Sequence, residues 1–171
     1  MIKLIIPLII VLAAVTRLIP HPPNFTPIIA IGLFGGAYIH NRSLAILITI
    51  GAMFISDLFL GLHGTIYWVY GSLLSVTILG RIVLKKVNIR NCTMAVMCSS
   101  FIFFISTNFG VWFTSGYYPK SIDGILACYT LALPFFGNTL AGSLFYSAVM
   151  FGGYELLKRN LVLSTPESIQ N

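Results

Sequence analysis

The sequence predicts an all-α polytopic membrane protein of about six transmembrane helices, and three observations predict it. Of 171 residues, 57% are hydrophobic and 8% charged, at a mean hydropathy of +0.94, where a soluble domain carries roughly 25% charged residues. Apolar runs approaching the ~20 residues of a membrane span recur along the chain. Lysine and arginine gather at the ends of those runs. The length allows five or six spans and no sizeable soluble domain, so residues 1–160 are expected to form one transmembrane domain and 161–171 a disordered cytoplasmic tail. A net charge of +6 would suggest nucleic acid in a soluble chain. Here the basic residues set orientation instead, so the bilayer is the expected partner and nucleic acid is excluded.

Ile2 to Ile19, apolar apart from Lys3 and Arg17, reads as a retained first span. No small-residue cleavage site follows it; Pro20, Pro22, Pro23 and Pro27 do. Those prolines cannot continue a helix, so the segment reads as an ordered Pro-rich first extracellular loop, with Asn24 or Thr26 placed to cap the next helix. Span two, Pro27 to Ile39, is short for a full crossing, about thirteen residues at ~1.5 Å each. Part of the preceding loop is therefore expected to dip into the bilayer, shielded by protein. Gly32 and Gly36 let another helix approach closely, with internal packing favoured over dimerisation.

His40 to Ser43 is a tight polar turn, and Leu44 to Leu60 the third span, carrying Ser56-Asp57 near its end. After the Gly61 to Gly64 turn, Tyr67, Trp68 and Tyr70 open the fourth span as an interfacial aromatic belt. That span reaches about Leu84, ahead of the densest basic run, Lys85 to Arg90. Cys92 to Phe113 is span five. Beyond the Gly116 to Lys120 loop, Ile122 to Leu133 reads either as a half-helix or as the head of a Pro134-kinked sixth span, and Phe135 to Leu157 spans fully. Cys92, Cys98 and Cys128 are too scattered for a disulfide framework and read as packing residues. His21, His40 and His63 lack the paired spacing of a metal site.

With Lys3 in the cytoplasm, Arg42, Arg81, Lys85, Lys86, Arg90, Lys158 and Arg159 fall on the same side, and Arg17 and Lys120 outside. The positive-inside rule is satisfied with both termini cytoplasmic in an integral cell-membrane protein. Polar groups then converge on the outer third: Arg17 from span one, Asp57 from span three, Asn108 and Trp112 from span five, Asn138 from the last. Intramembrane ionisable groups face a partner or a wet cavity. Two readings of Arg17 and Asp57 stand side by side, a fold-holding pair and a ligand contact, while Asn108 and Asn138 read as interhelical hydrogen bonds or as ligand contacts. At the other end, Glu155 and Arg159 stand four apart, as a helix-stabilising pair or part of a docking surface together with Arg81. The sequence carries no phosphate loop, nucleophile elbow or metalloprotease helix, so an enzyme is not expected, nor a cofactor.

Arg17 to Gly36 reads R-L-I-P-H-P-P-N-F-T-P-I-I-A-I-G-L-F-G-G, Ser56 to Gly61 S-D-L-F-L-G, and Thr107 to Trp112 T-N-F-G-V-W. Y-P-x-x-x-x-G-x-x-x-C-Y follows from Tyr118, and L-P-F-F-G-N-T-L from Leu133. In these stretches the chain resembles a family of small uncharacterised membrane proteins, similar in plan to the substrate-binding S components of energy-coupling-factor (ECF) vitamin transporters. The resemblance implies an S-component-like bundle that binds an unidentified small molecule for uptake and needs separate coupling and ATPase subunits. In S components the loops after spans one, three and five close over the ligand, so by resemblance Asn24, His63, Trp112 and Tyr117 line or lid the pocket. The alternative is a non-transport assembly or interaction protein whose polar rim packs against another protein.

The orientation is tested by single cysteines in a background without the native three. Cysteines at Asn88 and Ser168 should be shielded from an impermeant thiol reagent in intact cells and one at Ser115 labelled. External labelling at Asn88 would contradict the orientation.

Overall fold

The computed structural model describes residues 2–62 and 64–163. Among these the chain is all-helical: α1 (Ile2–Val15) runs into a 3-10 turn (Thr16–Leu18), followed by α2 (Ile28–Tyr38), α3 (Arg42–Leu60), α4 (Ile66–Val83), α5 (Ile89–Thr114) and α6 (Ile122–Leu163). Four of them, α3 to α6, are long and apolar enough to cross a membrane, whereas α1 and α2 are shorter apolar helices. We call the end bearing the 19–27 segment the proline end and the opposite one, with Lys85, Lys86, Arg90, Lys158 and Arg159, the basic end.

The bundle is built around α2. Every residue from Ile28 to Gly36 is buried, and the helix packs against each of the other five. Its composition permits this, because a helix apolar on all sides has no face to offer water. Its glycines set the distance to α4. A Cβ on Gly36 would run into the backbone carbonyl of Thr77, and one on Gly80 would stand 2.7 Å from the carbonyl oxygen of Leu33. Gly32 meets Leu73 and Val76 side chains at 2.9 Å in the same sense. The glycine spacing therefore serves packing inside the chain. At the far end of α2, Phe34 and Tyr38 close an aromatic layer with Phe151 and Tyr154 of α6, ring centroids 4.4 to 5.6 Å apart.

Polar side chains terminate the helices. Asn41 accepts from the Leu44 amide at 3.0 Å to start α3, and Asn88 accepts from the Asn91 amide at 2.9 Å to start α5. Both are strongly preferred N-cap types. The α2 start departs from expectation: its N-cap is Pro27, with no side-chain cap, and neither Asn24 nor Thr26 caps it. Asn24 instead takes a left-handed φ of 65° in the preceding turn, a conformation asparagine tolerates because its short polar side chain bonds locally. Arg81 of α4 donates to the Ile39 carbonyl just past α2 at 3.2 Å, satisfying one of the groups a helix end leaves open.

Ile122 to Leu133 is not a separate half-helix. It is continuous with the rest of α6, with Pro134 inside. At 1.5 Å per residue α6 is ~63 Å long, about twice the ~30 Å hydrocarbon core. Residues 161–163, expected in the tail, belong to α6; the rest of the expected tail lies outside the described residues. The expected Glu155–Arg159 pair is also corrected. Glu155 accepts from the Tyr38 hydroxyl at 2.6 Å and stands 3.9 Å from Lys158.

Gly36→Ala should lower the melting temperature in detergent, at a cost of about 1–3 kcal/mol for an overpacked contact, because a backbone carbonyl cannot swing aside. Gly51→Ala is the control: its Cβ meets nothing within 4 Å, and helix propensity favours the alanine by up to ~1 kcal/mol. Equal melts for the two variants would contradict the close α2–α4 contact.

Candidate functional site

The candidate residues fall into two groups at the proline end. The first is a buried charge network. Past α1 the 3-10 turn, its Thr16 hydroxyl bonded back to Ala13 at 2.7 Å, carries Arg17 toward α3. There Arg17 Nη1 stands 2.7 Å from Asp57 Oδ1, the two side chains 9% and 2% exposed, and the guanidinium also donates to the Ser56 hydroxyl. The second carboxylate oxygen of Asp57 accepts from the Tyr70 hydroxyl of α4 at 2.5 Å. Arginine, carboxylate and phenol thus join the turn after α1 to α3 and α4. An acid so placed needs a partner, and this one has two. Arg17 Nε remains buried without an acceptor.

The second group ties the connecting segments to α5 and α6. Asn138 donates to the Pro23 carbonyl at 3.0 Å, next to exposed Asn24. Phe25 lies 5.8 and 5.9 Å from the Phe145 and Tyr146 rings, and a Cβ on Gly142 would come within 3.0 Å of the backbone at Phe25 and Thr26. The 19–27 segment is thereby seated on α6. Between α5 and α6, the Trp112 indole donates to the Pro119 carbonyl at 2.9 Å. The Lys120 ammonium bonds the Trp112 carbonyl and lies 5.2 Å from the indole centroid, a cation–π distance. Tyr117 at the tip is 83% exposed.

The two groups are not fused into one constellation. Asn108 spends its side-chain amide on the Phe104 carbonyl of its own helix at 2.8 Å, and its backbone carbonyl accepts from the Cys128 thiol of α6 at 3.5 Å. His63 lies outside the described residues. A cavity of about 550 Å³ opens between α5 and α6 at the basic end, and none of the eight candidates lines it. No group of three or more potential metal ligands occurs among the described residues.

Sequence reasoning missed Tyr70 and Trp68 as internal residues by assigning them to an interfacial belt. Tyr67, 85% exposed, suits that role. Trp68 instead packs edge-on against Phe109 at 5.2 Å over Gly110, where any Cβ would overlap the indole. The signal for Tyr70 was present: Asp57 and Tyr70 stand at similar distances on either side of the Gly61–Gly64 turn, and residues so placed in a helical hairpin share a depth.

Asp57→Asn should destabilise strongly, by about 3–5 kcal/mol for a broken buried pair, since it leaves the Arg17 charge uncompensated. Arg17→Leu with Asp57→Leu should recover much of that loss, and Tyr70→Phe should cost about 1 kcal/mol. Thermal melts check all three, and a wild-type melt for Asp57→Asn would contradict a fold-holding pair.

No curated protein and no solved structure matches this chain. The profile of the family of unknown function DUF6580 matches residues 2–167, nearly the whole chain, and it is to this family that the protein belongs.

Proposed function

We propose that this protein is a membrane-embedded capture protein for a small molecule, similar in plan to an ECF S component and delivering its ligand to separate coupling and ATPase subunits. It is a binding protein and not a catalyst. In this reading six helices cross the cell membrane, the proline end is extracellular, and both termini are cytoplasmic, as the distribution of basic residues favours.

The observation that carries the reading is the pair of latches at the proline end. Two connecting segments are tied to the last two helices by few polar contacts, Asn138 to Pro23 for one and Trp112 to Pro119 with Lys120 to the Trp112 carbonyl for the other. Neutral bonds of this kind contribute about 0.5–1.5 kcal/mol net and a charged one about 1.5–3 kcal/mol, and segments drawn from the low-stability end of a structure are the ones that open. A weakly latched cover over a rigid, α2-centred bundle suits a protein that closes on a ligand. Asn24, Trp112, Tyr117 and Asn138 belong to this cover, and Asn108 to the wall beneath. Arg17 and Asp57 hold the frame, with Arg17 Nε the donor left for a ligand.

One observation favours the alternative of a non-transport assembly or interaction protein: Arg17, Asp57, Asn108 and Asn138 all find partners inside the chain. Purification from native membranes separates the readings. The capture protein should bring down ATPase and coupling subunits, and native mass spectrometry after exposure to a small-molecule cell extract should show one added water-soluble compound, lost in a Pro23→Cys/Asn138→Cys variant oxidised before exposure. Recovery of neither subunits nor a bound compound would overturn capture.

A further inference from the structure

The cavity at the basic end carries its own chemistry. It runs along the first half of α5 and the second half of α6. From Leu144 to Glu155 it follows α6 over eleven residue-to-residue steps, ~16 Å at ~1.5 Å each, about half of the ~30 Å hydrocarbon core. That is the depth of one leaflet. Its far end is apolar, walled by Val96, Leu144 and Phe151, and its near end is polar, with Asn88 and Glu155. Ala148 and Gly152 on its wall are exposed, and a Cβ on Gly152 would meet nothing within 4 Å, so the groove is open along its side.

Two observations point to a ligand. Ser147, 5% exposed, lines the groove with a hydroxyl that has no partner, and a buried polar group in that state is costly unless something bonds it. At the polar mouth the charges are of both signs. Glu155 accepts one bond from Tyr38, and a carboxylate accepts several more. Lys158 stands 3.9 Å from it, and Lys85, Lys86, Arg90 and Arg159 are exposed at the same end of the bundle. A headgroup with phosphate alone would meet Glu155 as a like charge, and one with an amine alone would face the cations. A headgroup carrying both satisfies both.

We propose that the α5–α6 groove binds one acyl chain of an aminophospholipid from the leaflet at the basic end, its ammonium on Glu155 and its phosphate toward the lysines and arginines of that end. Ser147 donates to an ester carbonyl of the bound lipid. The site lies at the opposite end from the capture site and stands independently of it.

The test is native mass spectrometry of the protein released from nanodiscs of equal phosphatidylethanolamine and phosphatidylglycerol. The wild type should retain one phosphatidylethanolamine per chain, about tenfold over phosphatidylglycerol. Gly152→Leu, which fills the groove, should lose that lipid about tenfold while melting as the wild type does, and Ala148→Phe serves in its place if the leucine variant fails to fold. Glu155→Gln keeps an acceptor for Tyr38 and should retain a lipid without headgroup preference. Retention of no lipid by the wild type, equal retention of both headgroups, or unchanged retention when the groove is filled would overturn the proposal. So would a non-lipid compound displaced from the wild type by the same filling substitutions.

Discussion

The close crossing of α2 and α4 is the contact on which the rest of the structure depends. Where hydrocarbon surrounds both helices there is little hydrophobic gain in bringing them together, so association rests on van der Waals contact and on hydrogen bonds. Gly36 and Gly80 supply the contact by letting each backbone touch the other. Once α2 lies that close, an eleven-residue apolar helix can be surrounded on every side. The aromatic layer of Phe34, Tyr38, Phe151 and Tyr154 then fixes α6 at one end of it, and Gly110 under Trp68 draws α5 against α4.

Polar chemistry sits at the margins of this packed centre. Arg17, Asp57 and Tyr70 form a chain of charge-assisted contacts across the 3-10 turn after α1, α3 and α4, which satisfies the carboxylate where burial would otherwise penalise it. Ser72, Thr77, Thr107, Thr139 and Ser143 each bond the carbonyl four residues back in their own helix. Hydroxyls used this way can lie inside an apolar bundle without requiring a neighbour. Ser147 is buried without doing so, and it faces the groove.

The class of fold was legible because composition and run length are properties of single segments. So was the purpose of Gly32 and Gly36, and so was the Arg17–Asp57 pair as one of two readings, since opposite charges expected at one depth inside the membrane seek each other. What sequence could not supply was the direction of individual side chains. Asn108 and Asn138 look alike in sequence, each an amide in an apolar helix, yet one turns onto its own backbone and the other reaches the Pro-rich segment. Pro134 was ambiguous for a related reason: a proline removes one bond and does not by itself decide whether neighbouring turns compensate, as they do in α6. Capping at Asn24 failed because the chain enters α2 through a left-handed turn that sets Asn24 away from the helix start.

A rigid centre beneath lightly held connections is the physical form of the capture reading, and both halves of it are open to one experiment. Hydrogen exchange of the purified protein, followed by mass spectrometry, reports opening free energies along the chain. Amides from Ile31 to Gly36 should be the slowest to exchange, and those of His21, Asn24, Phe25 and the 116–120 segment at least a hundredfold faster. Connecting segments as protected as α2, or an α2 that exchanges as fast as they do, would contradict a fixed core under a movable cover.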